Sequence, residues 1–220
     1  MTAAGLVRPP APAVPSRRLS SGARLAWLYA RSRRVPAAVL ALAVCGGVLR
    51  AALNWHWATG NSLGAQQVPM IIETGAAAAI AVTSHGPFGE PERATVRWLP
   101  YLRLSAAIGL TGLAILALGL GAPGENLNDG ILVLARNIIG ITGIGLLTSL
   151  VTGGLLAWTL PLGYMAFCQY ALLEAWRAPW AWPVRPPSDR GAWIAACVVY
   201  AVGLLLLAVR GPRTQLADNG

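Results

Sequence analysis

The chain has 220 residues, of which 55% are hydrophobic and 11% charged, and its formal net charge is +9. A soluble domain carries about 25% charged residues, so this composition excludes a chain that covers a water-exposed surface of its own. Every basic residue is Arg, which excludes a Lys Schiff base and a phosphate-binding loop ending in Gly-Lys-Ser/Thr. The Arg residues lie between and just outside apolar blocks, which indicates orientation signals in a membrane protein and no nucleic-acid partner.

The N-terminal region divides into two parts. Residues 1–15 are rich in Pro and Ala and predict a disordered tail. Residues 16–34 place apolar side chains such as Leu25, Leu28 and Tyr29 at i, i+3, i+4 spacing among many Arg residues, which predicts an amphipathic helix lying on an anionic leaflet. A merely disordered basic tail is the alternative.

Long apolar blocks follow, at about the 20 residues that a helix needs to cross a bilayer. The region from Ile131 to Leu173 is about twice that length, so it must fold back, and Gly153–Gly154 is the favoured break. We therefore predict an all-α, polytopic bundle of six transmembrane helices over residues 35–210, followed by a tail at 211–220. The predicted spans are 36–54, 64–84, 99–121, two spans within 131–173, and 191–209.

Tryptophan supports these boundaries, because Trp is enriched where membrane helices meet the interface. Eight of the nine Trp residues lie at or near predicted span ends: Trp27, Trp55, Trp57, Trp98, Trp176, Trp180, Trp182 and Trp193.

Orientation follows from the distribution of Arg. The N-terminal segment holds seven Arg residues, whereas loops 55–63 and 122–130 hold none, so both termini are predicted in the cytoplasm and the protein in the plasma membrane. Segment 176–190 carries Arg177, Arg185 and Arg190 yet falls outside in this arrangement. A five-span arrangement with an external C-terminus would remove that conflict, but the length of 131–173 favours six.

Three charged residues that lie deeper within predicted spans are candidates for an intramembrane polar site. Glu73 is near the middle of the second span, where a carboxylate costs about 2.5–3.5 kcal/mol even on lenient scales. Arg136 and Arg50 are predicted at similar depth and are its candidate partners. This intramembrane set is either a substrate or gating site or a structural ion pair between helices.

The sequence contains no catalytic constellation, so we predict no enzymatic activity, no metal site and no cofactor. His56 and His85 are predicted on opposite sides of the membrane and have no zinc-ligand neighbours. Cys45, Cys168 and Cys197 lie inside apolar blocks, where Cys behaves as a small hydrophobe.

The connector between the second and third spans is the most informative polar segment. It orders an acid at Glu90, then Glu92, Arg93, Thr95 and Arg97, before the next span begins with Leu-Pro-x-x-Arg. Prolines confine its start, and acids near a helix N-terminus are favoured by the helix dipole. We predict a short helix or turn that projects from the cytoplasmic face.

That ordering resembles the coupling helix in the membrane subunits of type-two-class ABC exporters. The matching positions are Glu92, Thr95, Leu99 and Pro100, with Ala94 where the family has Gly. The resemblance covers the topology of about residues 16–210, and these permeases also have an interfacial N-terminal helix and short re-entrant helices outside, for which 178–190 is the counterpart.

The resemblance implies a permease subunit of an ATP-driven exporter, paired with a second permease as a homo- or heterodimer. A separate ATP-binding subunit would dock on residues 85–98 and drive the bundle between states. The competing interpretation is a membrane scaffold, immunity or assembly protein that transports nothing.

Overall fold

The computed structural model describes residues 34–55, 63–83, 99–122, 127–174, 178 and 180–210. Across these ranges the chain is helical, with no β-strand. The α-helices are α1 (Val35–Asn54), α2 (Leu63–Thr83), α3 (Leu99–Gly121), α4 (Leu127–Thr152), α5 (Thr159–Leu173) and α6 (Arg190–Arg210). Two three-residue 3₁₀ helices, Gly154–Leu156 and Trp182–Val184, lie before α5 and before α6.

Helices of this length and composition define a multi-pass membrane protein. Within the described residues, five helical segments are long and apolar enough to cross a bilayer. They are Val35–Asn54, Pro100–Gly121, Gly130–Thr152, Gly154–Leu173 and Arg190–Arg210, and Gln67–Thr83 is a shorter apolar helix. Large apolar side chains such as Leu120 and Val209 are exposed on the outside of the bundle, as expected where lipid replaces water.

The predicted break in the long apolar region is confirmed. α4 ends at Thr152, and Gly153 adopts a positive φ of 81° before the 3₁₀ turn that leads into α5. The predicted interfacial helix at 16–34 lies outside the described residues apart from Arg34, as do the N-terminal tail, the connector at 84–98 and the tail at 211–220.

The fourth helix is the centre of the bundle. α4 contacts α2, α3, α5 and α6, and 61% of its apolar window is buried, compared with 22–33% for the other four segments of spanning length. α1 and α2 pack with α3 and α4 around one apolar cluster. Its most buried large side chains are Leu42, Leu49, Ile80, Leu118 and Ile138.

Small residues bring α4 and α6 unusually close. A Cβ added at Gly143 would lie 2.7 Å from the Cα and N atoms of Tyr200. Gly203 faces the same contact from α6. Membrane helices associate without a hydrophobic driving force, so such close backbone packing supplies much of the attraction between them. The Tyr200 hydroxyl also donates to Thr111 Oγ1 (3.0 Å), which links α6 to α3.

Replacing Gly143 with Ala tests this contact. The new methyl group would meet backbone atoms that cannot rotate away, and overpacking of this kind costs about 1–3 kcal/mol. We expect the melting temperature of the detergent-purified protein to fall by several degrees. Gly109→Ala in α3 is the matched control, because its Cβ would meet nothing within 4 Å. Equal melting temperatures for the two variants would contradict the packing described here.

Candidate functional site

A cavity of about 520 Å³ lies at the end of the bundle where α1 ends and α4 begins. Segment 180–189, which we call the cap, lies across this end and supplies part of the wall. The lining is largely apolar. It consists of Leu49, Leu53, Pro69, Met70, Glu73, Ala122, Gly130, Val133, Leu134, Asn137, Pro183, Val184, Arg185, Pro186 and Pro187.

The polar groups at the base of the cavity come from α2 and α4. Glu73 is 3% exposed, and its Oε2 accepts a hydrogen bond from Asn137 Nδ2 at 2.8 Å. Asn137 is equally buried, and its Oδ1 has no hydrogen-bond partner among the described residues. Because Nδ2 is directed to the carboxylate, Oδ1 is left as an unused acceptor.

Arg136, which precedes Asn137 on α4, forms its hydrogen bonds with the cap. Arg136 is fully buried, and its Nη1 and Nη2 donate to the backbone carbonyls of Pro186 (2.7 Å) and Arg185 (2.8 Å). The planar guanidinium suits such two-pronged donation. Arg136 does not line the cavity, and it acts on Glu73 through longer-range electrostatic attraction rather than a direct ion pair.

Aromatic side chains pack the cap against α4, α5 and α6. Trp182 is 3% exposed and packs against Gly140, Ile144 and Ala192. A Cβ at Gly140 would lie 2.6 Å from the indole ring, so only glycine leaves room for it. The Tyr164 ring lies 4.7 Å from that of Trp182. Trp182 is therefore a core residue of the cap.

The junction between the cap and α6 has its own polar contacts. Asp189 Oδ1 accepts a hydrogen bond from the Ala192 N–H (3.0 Å), and its other oxygen pairs with the Arg185 guanidinium. The backbone N–H of Ala192, followed by the hydrogen bond and charge of Arg185, holds the pKa of the Asp189 carboxyl below its ordinary value. Trp193 Nε1 also donates to the Pro187 carbonyl (3.0 Å). An aspartate in this position caps the first turn of α6.

The structure brings together only part of the predicted intramembrane set. Glu73 and Arg136 are neighbours, but the hydrogen-bond partner of Glu73 is Asn137. Arg50 lies on an exposed side of α1, does not line the cavity and is not brought to Glu73. The predicted coupling residues lie outside the described residues, so the structure gives them no position: Glu90, Glu92, Arg93, Thr95 and Arg97.

Two features of the site were missed from the sequence. Asn137 was not singled out, although an amide beside Arg136 in an apolar helix is itself an unusual polar pair within a membrane span. The sequence also did not predict that segment 180–189 supplies part of a cavity wall; it contains one three-residue 3₁₀ helix, Trp182–Val184. Pro183, Pro186 and Pro187 disfavour a longer helix in this stretch.

The residues that the structure describes contain no cluster of three or more His, Cys, Asp or Glu side chains able to hold a metal ion. No protein-family model, curated protein or solved structure matches the chain. The fold and the cavity thus define the class, a multi-pass helical membrane protein with a buried carboxylate inside its bundle.

Replacing Arg136 with Met should loosen the cap. Both carbonyls would lose their donor, and a hydrogen bond to a charged group contributes about 1.5–3 kcal/mol. The amides of Val184, Arg185 and Asp189 donate to carbonyls within the cap. We expect hydrogen exchange at these amides, measured by mass spectrometry, to accelerate at least tenfold.

Arg50→Met makes the same chemical change on an exposed side of α1 and should leave exchange in the cap unchanged. Arg136→Lys should give an intermediate rate, because an ammonium keeps the charge but not the planar fork. Exchange in Arg136→Met as slow as in the wild type would show that the two hydrogen bonds do not hold the cap.

Proposed function

We propose that this chain is the permease subunit of an ATP-driven exporter in the plasma membrane, and that the cavity is part of its substrate path. The observation that carries the proposal is Glu73, a carboxylate placed deep in the bundle at the base of a cavity of about 520 Å³. Ionisable residues inside membrane spans are costly and generally mark substrate or ion pathways. A purely structural ion pair would not need a cavity beside it.

The proposed topology has six crossings with both termini in the cytoplasm. α2 has 21 residues, and at 1.5 Å per residue it is about 30 Å long, which equals the thickness of the hydrocarbon core. The cap end then faces outward. Segment 176–190, with its three Arg residues, then lies outside and departs from the orientation rule.

The proposed ATP-binding subunit would dock at the end of the bundle opposite the cap. α2 ends at Thr83 and α3 begins at Leu99, so the connector carrying the proposed coupling residues joins the bundle at the end away from the cap. An ATP-binding subunit docked there would contact the cytoplasmic side, with the cavity on the outer side. Two permease subunits, identical or different, would form the complete transporter.

The topology is tested by labelling single cysteines in a background without Cys45, Cys168 and Cys197. An impermeant maleimide added to intact cells should label Ala58→Cys and Asn126→Cys, which lie in the proposed outer loops. Asp218→Cys should react only after permeabilisation. Reaction of Asp218→Cys in intact cells would replace the six-span arrangement with the five-span alternative.

Docking is tested by reversing two charges in the connector. Arg93→Glu combined with Arg97→Glu should abolish co-purification of an ATPase with the chain, because i, i+4 cations on one helix face would no longer meet acidic groups on the partner. Membrane insertion, judged by the amount of protein in washed membranes, should be unchanged. Arg210→Glu combined with Arg213→Glu, near the C-terminus, is the matched control and should retain the ATPase.

Failure of the wild-type chain to co-purify with any ATPase would defeat the permease proposal. The scaffold, immunity or assembly interpretation would then replace it.

A further inference from the structure

The base of the cavity offers acceptors without donors to match them. The carboxylate of Glu73 receives one hydrogen bond, from Asn137, on Oε2. Asn137 Oδ1 receives none from the described residues, although Asn137 is 97% buried. Buried polar atoms are generally hydrogen-bonded, so this one unpartnered oxygen, next to a carboxylate that receives a single hydrogen bond, indicates a site that a donor completes.

The two Arg side chains beside the cavity bind partners other than Glu73, which leaves the Glu73 carboxylate for a ligand. Arg185, the one basic residue in the lining, pairs with Asp189. Arg136 lies behind the wall, with both terminal nitrogens donating to carbonyls of the cap. Among the described residues, therefore, no cationic side chain makes a direct contact with Glu73, and a positive charge entering the cavity would not have to displace another cation from its carboxylate.

The remaining walls determine the rest of the ligand. Apart from Glu73, Asn137 and Arg185, the lining consists of aliphatic, Met, Pro, Gly and Ala side chains. The volume falls within the range of about 300–1,000 Å³ typical of small-molecule sites. A site of this kind binds an apolar body and orients it through a few polar groups at one end.

From this geometry we infer that the cavity binds an organic cation that has an apolar body and an ammonium group with N–H donors. The ammonium would donate to the Glu73 carboxylate and to Asn137 Oδ1, while the apolar body lies against Leu49, Leu53 and Val133. This inference rests on the proposed function, because it names the substrate class of the cavity assigned there as the transport path. It places Glu73 and Asn137 as binding residues.

The test compares three probes of matched shape with the purified full-length chain in one detergent at pH 7. They are 2-naphthylmethylamine, which is cationic at this pH, 2-naphthylmethanol, which is neutral, and 2-naphthoate, which is anionic. Binding is measured by isothermal titration calorimetry. We expect the amine to bind at least tenfold more tightly than the alcohol, and the carboxylate to show no saturable binding.

Variants locate the binding within the cavity. Glu73→Gln should reduce amine affinity at least tenfold without changing that of the alcohol, and Asn137→Leu should reduce it severalfold. Arg50→Gln, on an exposed side of α1, should bind the amine as the wild type does. Partition of the probes into micelles is the same for every variant and so cancels in these comparisons.

Equal binding of amine and alcohol by the wild type would overturn the inference even if Glu73→Gln fails to fold. Unchanged amine affinity in a folded Glu73→Gln variant would also overturn it. The outcome is separable from that of the proposed function. Amine binding without an associated ATPase would leave the site standing and remove the exporter, whereas ATPase association without amine preference would do the reverse.

Discussion

The structure depends on how one buried cation is satisfied inside the bundle. Arg136 lies on the central helix with no exposed surface, and in the hydrocarbon region its charge must find partners within the protein. Two backbone carbonyls of the cap provide them. The same contact ties the cap to α4, and the cap in turn forms part of the cavity wall. Burial of Arg136 thus helps to fix where the cap lies, and with it one wall of the cavity.

Arg136 and Asn137 are adjacent on α4 but contact different parts of the protein because of helix geometry. Successive residues on an α-helix point about 100° apart, since there are 3.6 residues per turn. Arg136 is therefore directed to the cap and Asn137 to α2, where it meets Glu73. A neutral amide donates to the Glu73 carboxyl without bringing a charge of its own, whereas a guanidinium in its place would fill the site with a bound cation.

The long apolar helices were predictable from sequence because bilayer thickness fixes helix length, and the break at Gly153 followed from the same limit. Burial of Glu73 followed from the cost of exposing a carboxylate to lipid. The hydrogen-bond partner of Glu73 was not predictable in this way. Charge complementarity favours Arg136, whereas the rotation of α4 that brings Asn137 to Glu73 arises only from tertiary packing. The burial of Trp182 was not predictable for a similar reason: the space for its ring is left by Gly140, which is distant in sequence but adjacent in the fold.

In the proposed transporter, α2 is the element that joins the two ends. Glu73 lies ten residues before Thr83, so about 15 Å of continuous helix separates the carboxylate from the connector. Pro69 lies one turn from Glu73 on the cap side, where proline removes a backbone hydrogen bond and weakens the helix. A displacement applied at the connector would therefore reach Glu73 through the intact part of α2 and be absorbed at Pro69. That motion would shift the carboxylate relative to Asn137 on the more deeply buried α4, which changes the donors and acceptors offered to a bound cation.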